Sequence, residues 1–241
     1  MNAPYRSPLY PSIFFSPNPF KALELNALLR KVDFKPGDVG LDVGSGLGVQ
    51  TSVLATHMRK VIGIDVSENA VRRAQSEQHL LAGKGDVDYR CTSIEAAGLP
   101  DNSFDKVFSI CVLEHIPDHL SVLRHCYRVL KPGGQLAFSV DRLATIEDSE
   151  AVAFRRQRYE VSRYFNADEI KRDFESVGFR NVQVAPLGVS PLAARWFTDG
   201  IRHEFRYRFS EAWWKYHVLK WAERFSPQKD RGIYLIVRAD K

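Results

Sequence analysis

Residues 41–48, LDVGSGLG, combine a carboxylate with closely spaced glycines. The acid is Asp42, and the glycines stand at alternate positions: Gly44, Gly46 and Gly48. Glycine lets a backbone adopt positive φ and approach a ligand closely. The dinucleotide-binding motif GxGxxG would need its third glycine at position 49, which is Val49. A carboxylate at this place disfavours a pyrophosphate and favours a ligand that carries an ammonium or sulfonium group.

A second carboxylate ends the next apolar segment. Asp65, in VIGIDVS, follows Gly46 by 19 residues. At the tip of a second parallel strand, a carboxylate can accept hydrogen bonds from both hydroxyl groups of a ribose. Together with the glycine loop, Asp65 therefore predicts a nucleoside site without phosphates.

Apolar strand segments alternate with helical segments along the chain. The predicted strands are VGLDVGSG, KVIGIDVS, VDYRC, FDKVFSICV, QLAFSV, NVQVAPL and GIYLIVRA. The predicted helices are residues 20–31, residues 48–57, SENAVRRAQSEQHLLA, DHLSVLRHCYRVLK and NADEIKRDFESV. This alternation predicts an α/β fold whose parallel sheet is covered on both faces. The last two strands are expected at one edge, with one of them antiparallel.

The composition of the 241 residues is that of an ordinary globular protein, with 44% hydrophobic and 26% charged residues. The sequence contains no apolar run long enough to span a membrane, and its Pro-rich start lacks the apolar core of a secretory signal, so we expect a cytoplasmic protein. The three cysteines, at 91, 111 and 126, form no CxxC pair, and we predict neither a metal site nor a disulfide framework. A net charge of +5 permits an anionic partner without requiring one.

Six motifs in order resemble those of class I S-adenosylmethionine-dependent methyltransferases of the small-molecule or lipid type (Methyltransferase-11-like). They are LDVGSGLG, GIDVS, SIEAAGLPDNSFDKV, CVLEHIPD, RVLKPGGQLAFS and YFNADEIKRDFESVGFRNV. The resemblance covers roughly residues 35–185 and the final strand. It implies a Rossmann-like, mostly parallel sheet of seven strands in the order 3-2-1-4-5-7-6, with strand 7 antiparallel and helical insertions forming a cap.

The resemblance also implies a role for each matching residue. Asp42 would lie near the amino group of the cofactor's methionine, and the loop residues Gly44, Ser45, Gly46 and Gly48 would contact its methionine and ribose. Asp65 would bind the ribose hydroxyls and Val66 would pack on the adenine, which Ser93 and Ile94 would edge. Many relatives have Asp in place of Ser93, so that contact would be weaker here. Cys111 would lie near the sulfonium, unless it only fills the core.

Transfer of a methyl group from S-adenosylmethionine, leaving S-adenosylhomocysteine, needs alignment, a dry site and sometimes a base. His115, in LEHIPDH, is the candidate base, and the alternative is that it only covers the cofactor. Tyr159, Arg163 and Tyr164 are placed by position to line an acceptor pocket. We expect a small-molecule or lipid-like acceptor, methylated on oxygen or carbon. A nucleic-acid methyltransferase is one alternative, but a nucleic-acid substrate is not expected, since the Pro-Pro-aromatic motif of base-flipping enzymes is missing after strand 4. The other alternative to an active enzyme is a binding protein that has this fold without catalysis.

We expect residues 1–241 to form a single methyltransferase domain. Its predicted parts are an N-terminal segment and helix (1–34), a cofactor-binding core (35–140), and insertions at 141–165 and 186–230 that form an acceptor cap or an assembly surface. Residues 202–225, read as one helix, carry two apolar stripes on opposite sides. The first stripe consists of Phe205, Phe209, Ala212, Trp213, Tyr216 and Leu219, and the second consists of Tyr207, Trp214, Val218, Trp221 and Phe225. We expect the second stripe to cover the acceptor, with Trp214 in contact with it, to join two copies in a homodimer, or to make a peripheral membrane contact. The sequence is compatible with a monomer as well as with a homodimer.

Overall fold

A seven-stranded sheet forms the centre of the protein. The computed structural model describes residues 17–81, 85–226 and 230–241. The strands are β1 (Val39–Val43), β2 (Lys60–Asp65), β3 (Asp86–Cys91), β4 (Phe104–Ile110), β5 (Leu130–Asp141), β6 (Arg180–Leu187) and β7 (Tyr234–Asp240). Their order is β3-β2-β1-β4-β5-β7-β6. The first five are parallel, whereas β7 runs antiparallel to both β5 and β6. The predicted strand order and the antiparallel seventh strand are confirmed.

Eight helices of the described residues surround this sheet. They are α1 (Pro19–Leu29), α2 (Val49–Leu54), α3 (Glu68–Leu81), α4 (His119–Val129), α5 (Ser149–Arg158), α6 (Ala167–Val177), α7 (Pro191–Arg202) and α8 (Phe209–Phe225). Side chains fix several starts: Asn18 Oδ1 accepts from Phe20 N, and Asn166 Oδ1 accepts from Glu169 N. None of the helices in the described parts of the chain has the length and apolarity needed to cross a membrane.

Three apolar clusters hold the layers together. Successive strand residues enter different clusters because side chains alternate across a sheet: Leu136 and Phe138 lie in the cluster of α4 and α6, and Ala137 lies in that of α1, α2 and α3. The third cluster packs α7 and α8 against the start of α1 and the beginning of β7. It places α1 at the junction between the sheet and the C-terminal helices, beside the carboxyl ends of the central strands.

The prediction of a single helix over residues 202–225 is wrong. α7 ends at Arg202 and α8 begins at Phe209. The chain turns back between them: Phe205 N donates to Gly200 O at 2.8 Å, and Phe205 has a φ of 52°. Gly200 permits this turn, since a Cβ there would lie 2.5 Å from the Phe205 ring. Phe205 and Tyr207, assigned to the two stripes, therefore lie in the connection and not on the helix.

Candidate active site

The loop after β1 is shaped by its glycines, and Gly44 in particular has no room for a side chain. The N–H groups of Gly44 and Ser45 both donate to Ile64 O, at 2.8 and 3.0 Å. Gly44 has a φ of 78°, and a Cβ there would lie 2.3 Å from a methyl group of Val112. The loop is thus held between the ends of β2 and β4.

Asp65 connects this loop to the end of β2. One carboxylate oxygen accepts from Gly46 N at 2.8 Å, and the other accepts from Ser67 N at 2.8 Å. Each oxygen can accept a second hydrogen bond. The carboxylate is therefore held in place by two backbone donors while it still has acceptor capacity for the hydroxyls of a ribose.

Asp42 lies beneath the loop rather than on its surface. It is buried, and its Oδ2 accepts from Thr51 Oγ1 at 2.6 Å. Burial raises the pKa of Asp42 to about 6, the Thr51 hydroxyl works against this shift, and Asp65 adds to it. Asp42 thus changes charge just below neutral pH, close to the loop that the cofactor is expected to contact.

We expect the affinity for S-adenosylmethionine to fall as the pH decreases through about 6. A cationic ligand favours the ionised carboxylate of Asp42, so protonation competes with binding and weakens it about tenfold between roughly pH 7 and pH 5. Isothermal titration calorimetry at several pH values measures this dependence. Asp42→Asn should remove it, and Thr51→Val should move it to higher pH, because the Thr51 hydrogen bond lowers the pKa of Asp42. An affinity that does not change over this range in the natural protein would refute the role of Asp42.

A cavity of about 520 Å³ opens over the carboxyl ends of β1, β2 and β4. It brings together six of the residues predicted to bind the cofactor: Gly44, Asp65, Val66, Ser93, Ile94 and Cys111. The other four, Asp42, Ser45, Gly46 and Gly48, do not line it. Sequence reasoning missed Thr92, Glu95, Val112 and Ile116, although all four follow the ends of strands β3 and β4. Val66 is 74% exposed at the cavity mouth, where a flat base can pack on it.

A second cavity of about 400 Å³ adjoins the first. Its lining residues are Pro17, Asn18, Lys21, Cys111, His115, Arg155, Tyr159, Glu204, Phe205 and Tyr234. Cys111 and His115 line both cavities. Cys111 has a φ of 55°, and this turn after β4 places it at the boundary.

Of the four residues predicted to line an acceptor pocket, only Tyr159 lines this cavity. Arg163 pairs with Glu169 at 2.9 Å, and the Tyr164 hydroxyl donates to the carbonyl of Val152 at 3.3 Å. Trp214 is 45% exposed on α8 and packs edge-on against Trp196. The cavity therefore gives no support to Arg163, Tyr164 and Trp214, whose roles stay predictions.

Beneath the second cavity lies a network of buried ionisable groups. Cys111 Sγ donates to Glu24 Oε1 at 2.8 Å, and Lys21 Nζ pairs with Glu24 Oε2 at 2.9 Å. Arg155 Nη2 pairs with Asp141 Oδ2 at 2.7 Å. Each cation is thus matched by a buried carboxylate. Burial and the nearby Glu24 raise the pKa of the Cys111 thiol, which therefore stays protonated.

Glu114, the residue before His115, also belongs to this network. Its carboxyl group is fully buried, and neither oxygen has a hydrogen-bond partner among the described residues. Burial, followed by the charge of Asp141, raises the pKa of Glu114 to about 8. Glu114, Cys111 and Asp141 have polar atoms within 4.8 Å of one another. A neutral carboxyl group therefore lies directly behind the boundary of the two cavities.

Comparison with known proteins identifies the family. Residues 41–138 match the family model described as a methyltransferase domain. A ubiquinone biosynthesis O-methyltransferase from Chromobacterium violaceum is 33% identical over 162 residues, which cover 63% of this chain and 68% of the relative. The chain belongs to the class I S-adenosylmethionine-dependent methyltransferases. A ubiquinone biosynthesis O-methyltransferase from Coxiella burnetii is 30% identical to this methyltransferase over 160 residues. The match covers 63% of this chain and 68% of the relative.

Solved structures share the fold of this methyltransferase. Phosphoethanolamine N-methyltransferase 2 of Haemonchus contortus, in complex with S-adenosyl-L-methionine, superposes with a TM-score of 0.63 at 24% identity, over 90% of this chain and 52% of that one. A putative methyltransferase from Bacillus halodurans superposes with a TM-score of 0.63 at 19% identity. The match covers 90% of this chain and 98% of that one. The cofactor of this methyltransferase is S-adenosylmethionine, as the sequence motifs predicted.

Proposed function

We propose that this methyltransferase transfers a methyl group to a hydroxyl group of a small aromatic acceptor. The observation that carries the proposal is the shared boundary of the two cavities at Cys111 and His115. A cofactor in the larger cavity and an acceptor in the smaller one meet there, which is the arrangement that in-line displacement requires. The two curated relatives are O-methyltransferases of ubiquinone biosynthesis, and this favours oxygen as the methylated atom.

The lining of the acceptor cavity suits a flat ring. Tyr159, Phe205 and Tyr234 contribute aromatic surface, and the Arg155 guanidinium lies 5.1 Å from the centre of the Tyr159 ring and 6.0 Å from that of Phe205. Since Arg155 and Lys21 each pair with a carboxylate, the cavity offers no unbalanced positive charge that would demand an anionic acceptor. A neutral phenol or catechol therefore fits this lining better than a phosphate ester.

In this proposal the cofactor supplies an electrophilic methyl group on its sulfonium. Asp65 holds the ribose, and Val66, Ser93 and Ile94 hold the adenine. His115 accepts the proton of the acceptor hydroxyl as the oxygen–carbon bond forms and the carbon–sulfur bond breaks, leaving S-adenosylhomocysteine. Residues 35–140 hold the cofactor, whereas α1, α5 and the connection between α7 and α8 form the cap. The cap of this proposal therefore includes parts of both predicted insertions, 141–165 and 186–230, and belongs to the same single domain.

We expect His115→Gln to lower the turnover of a catechol acceptor about 100-fold. This is the lower end of the range for the loss of a general base, because a phenolic hydroxyl is acidic enough to lose its proton with little help. The assay uses labelled S-adenosylmethionine with uncharged acceptors, namely catechol itself and catechols that carry an alkyl chain.

His79→Gln, at an exposed imidazole on α3, serves as the matched control and should leave turnover unchanged. If His115→Gln keeps full turnover, His115 only covers the cofactor. If the natural protein binds the cofactor but methylates amines and no phenol or catechol, the proposed acceptor class is wrong.

A further inference from the structure

The side of α8 that faces away from the sheet carries a row of apolar residues. We call Trp214, Val218, Trp221 and Phe225 the α8 outer face. Their spacing of four, three and four residues places them within an arc of about 60° on the helix. The buried residues Ala212, Tyr216 and Leu219 lie on the opposite side. Trp221 and Phe225 are 65% and 62% exposed and contact each other with ring centres 5.1 Å apart.

Neither cavity of the active site uses the α8 outer face. Its residues line neither the cofactor cavity nor the acceptor cavity. The helix is anchored from its other side, where Glu223 accepts from the N–H groups of Gly188 and Val189 at 2.8 and 3.1 Å. Adjacent exposed aromatic side chains on a rigidly held helix are typical of an interaction surface.

Beside this face, α1 and α8 enclose a groove of about 370 Å³. Its apolar lining comprises Leu23, Ala27, Leu187 and Tyr216, and Arg30, Lys220 and Arg224 surround it. Among the described residues, none of these three cations forms an ion pair with a carboxylate (the salt bridges of this region involve Lys215 and Glu211 instead). The acid of the groove, Glu223, is engaged by backbone donors. The surface next to the exposed aromatics is therefore positively charged.

We propose that the α8 outer face and the neighbouring groove bind an anionic lipid bilayer. Trp and Phe side chains on one face of a helix insert at the level of the headgroups, and flanking Lys and Arg pair with lipid phosphates. Each such cation near an anionic surface adds to the attraction. A second copy of the chain is a poorer occupant, because a two-fold contact would bring Lys220 and Arg224 close to the same residues of the partner.

The position of α1 connects this surface with the active site. Asn18 and Lys21, at the start of the helix, line the acceptor cavity, and Leu23, Ala27 and Arg30 line the groove. A bilayer bound at the groove would thus contact the same helix that forms a wall of the acceptor cavity. The proposal does not depend on the identity of the acceptor.

Vesicle co-sedimentation tests the proposal with the whole 241-residue chain. Vesicles of phosphatidylcholine alone are compared with vesicles in which roughly one third of the lipid is phosphatidylglycerol, at low and high salt. We expect the natural protein to bind the anionic vesicles, with salt weakening the binding. Trp221→Ser/Phe225→Ser and Lys220→Gln/Arg224→Gln should each lower the bound fraction about tenfold, and the second variant should also lose most of the salt dependence.

Two matched controls exclude general effects. Phe154→Ser removes another exposed aromatic residue, 48% exposed on α5, and Lys171→Gln/Arg172→Gln removes the same charge from α6. Both should bind vesicles as the natural protein does, and circular dichroism and cofactor affinity should be unchanged in all four variants. Absence of binding to anionic vesicles at low salt would overturn the proposal. So would a dimer in light scattering that Trp221→Ser/Phe225→Ser dissociates, because a second copy would then occupy this face.

Discussion

Replacing Asp65 with Ala is expected to weaken the binding of S-adenosylmethionine about 1,000-fold. Hydrogen bonds to a charged group are each worth about 1.5–3 kcal/mol, and this carboxylate is placed to accept one from each ribose hydroxyl. The substitution also releases Gly46 N and Ser67 N, which Asp65 now holds at 2.8 Å. The glycine loop then loses its fixed position, so cofactor contacts that do not involve Asp65 weaken as well. Isothermal titration calorimetry measures the dissociation constant directly.

Asp65→Asn separates the two contributions to this loss. The amide keeps one acceptor oxygen, but its nitrogen cannot accept a hydrogen bond in place of the second carboxylate oxygen. We therefore expect an affinity between that of the natural protein and that of Asp65→Ala. Asp86→Ala is the control, because Asp86 is 70% exposed at the other end of the sheet and only pairs with Lys60 at 3.5 Å. If Asp65→Ala binds the cofactor within a few-fold of the natural protein while Asp86→Ala is unaffected, the cofactor does not occupy the cavity above Asp65.

The cofactor half of the molecule was predictable because its signals are local. The loop from Asp42 to Gly48 could be predicted from its own residues, because closely spaced glycines between a strand and a helix indicate a tight turn. The structure has this turn, and its glycines have positive φ. Asp65 lies at the end of an apolar strand that can be identified without any other part of the chain. The strand order came from the resemblance to a family, since periodicity predicts a parallel sheet and does not order its strands.

The acceptor half was not predictable because its contacts are distant in sequence. Cys111 donates to Glu24, which is 87 residues earlier in the chain, and nothing around Glu24 distinguishes it from a surface residue of an amphipathic helix. The break between α7 and α8 depends on Phe205 packing over Gly200, a tertiary contact that a helical pattern cannot reveal. The prediction of Trp214 as an acceptor residue came from a continuous helix and stays a prediction, whereas the turn after Arg202 brings Phe205 to the cavity.

The buried pair of Arg155 and Asp141 is expected to determine the stability of the acceptor half. Arg155→Met should lower the free energy of unfolding by about 3–5 kcal/mol, because it leaves a fully buried carboxylate without its cation. Burial acts to lower the pKa of Arg155, and Asp141 outweighs it, so the pKa is raised and the guanidinium stays charged. The same side chain lies over the rings of Tyr159 and Phe197, which keeps it in place. Urea unfolding of the variant, followed by circular dichroism, measures the loss.

A double-mutant cycle distinguishes the lost pair from the lost side-chain packing. Asp141→Asn alone leaves the buried guanidinium unpaired and should also be strongly destabilising, whereas Arg155→Met/Asp141→Asn contains no unpaired charge. We therefore expect the double variant to be more stable than the sum of the two single losses predicts. Arg158→Met, on the same helix, breaks an exposed ion pair with Glu204 and should cost no more than about 1 kcal/mol. Additive losses in the cycle would show that Arg155 contributes through its packing on the aromatic rings and not through Asp141.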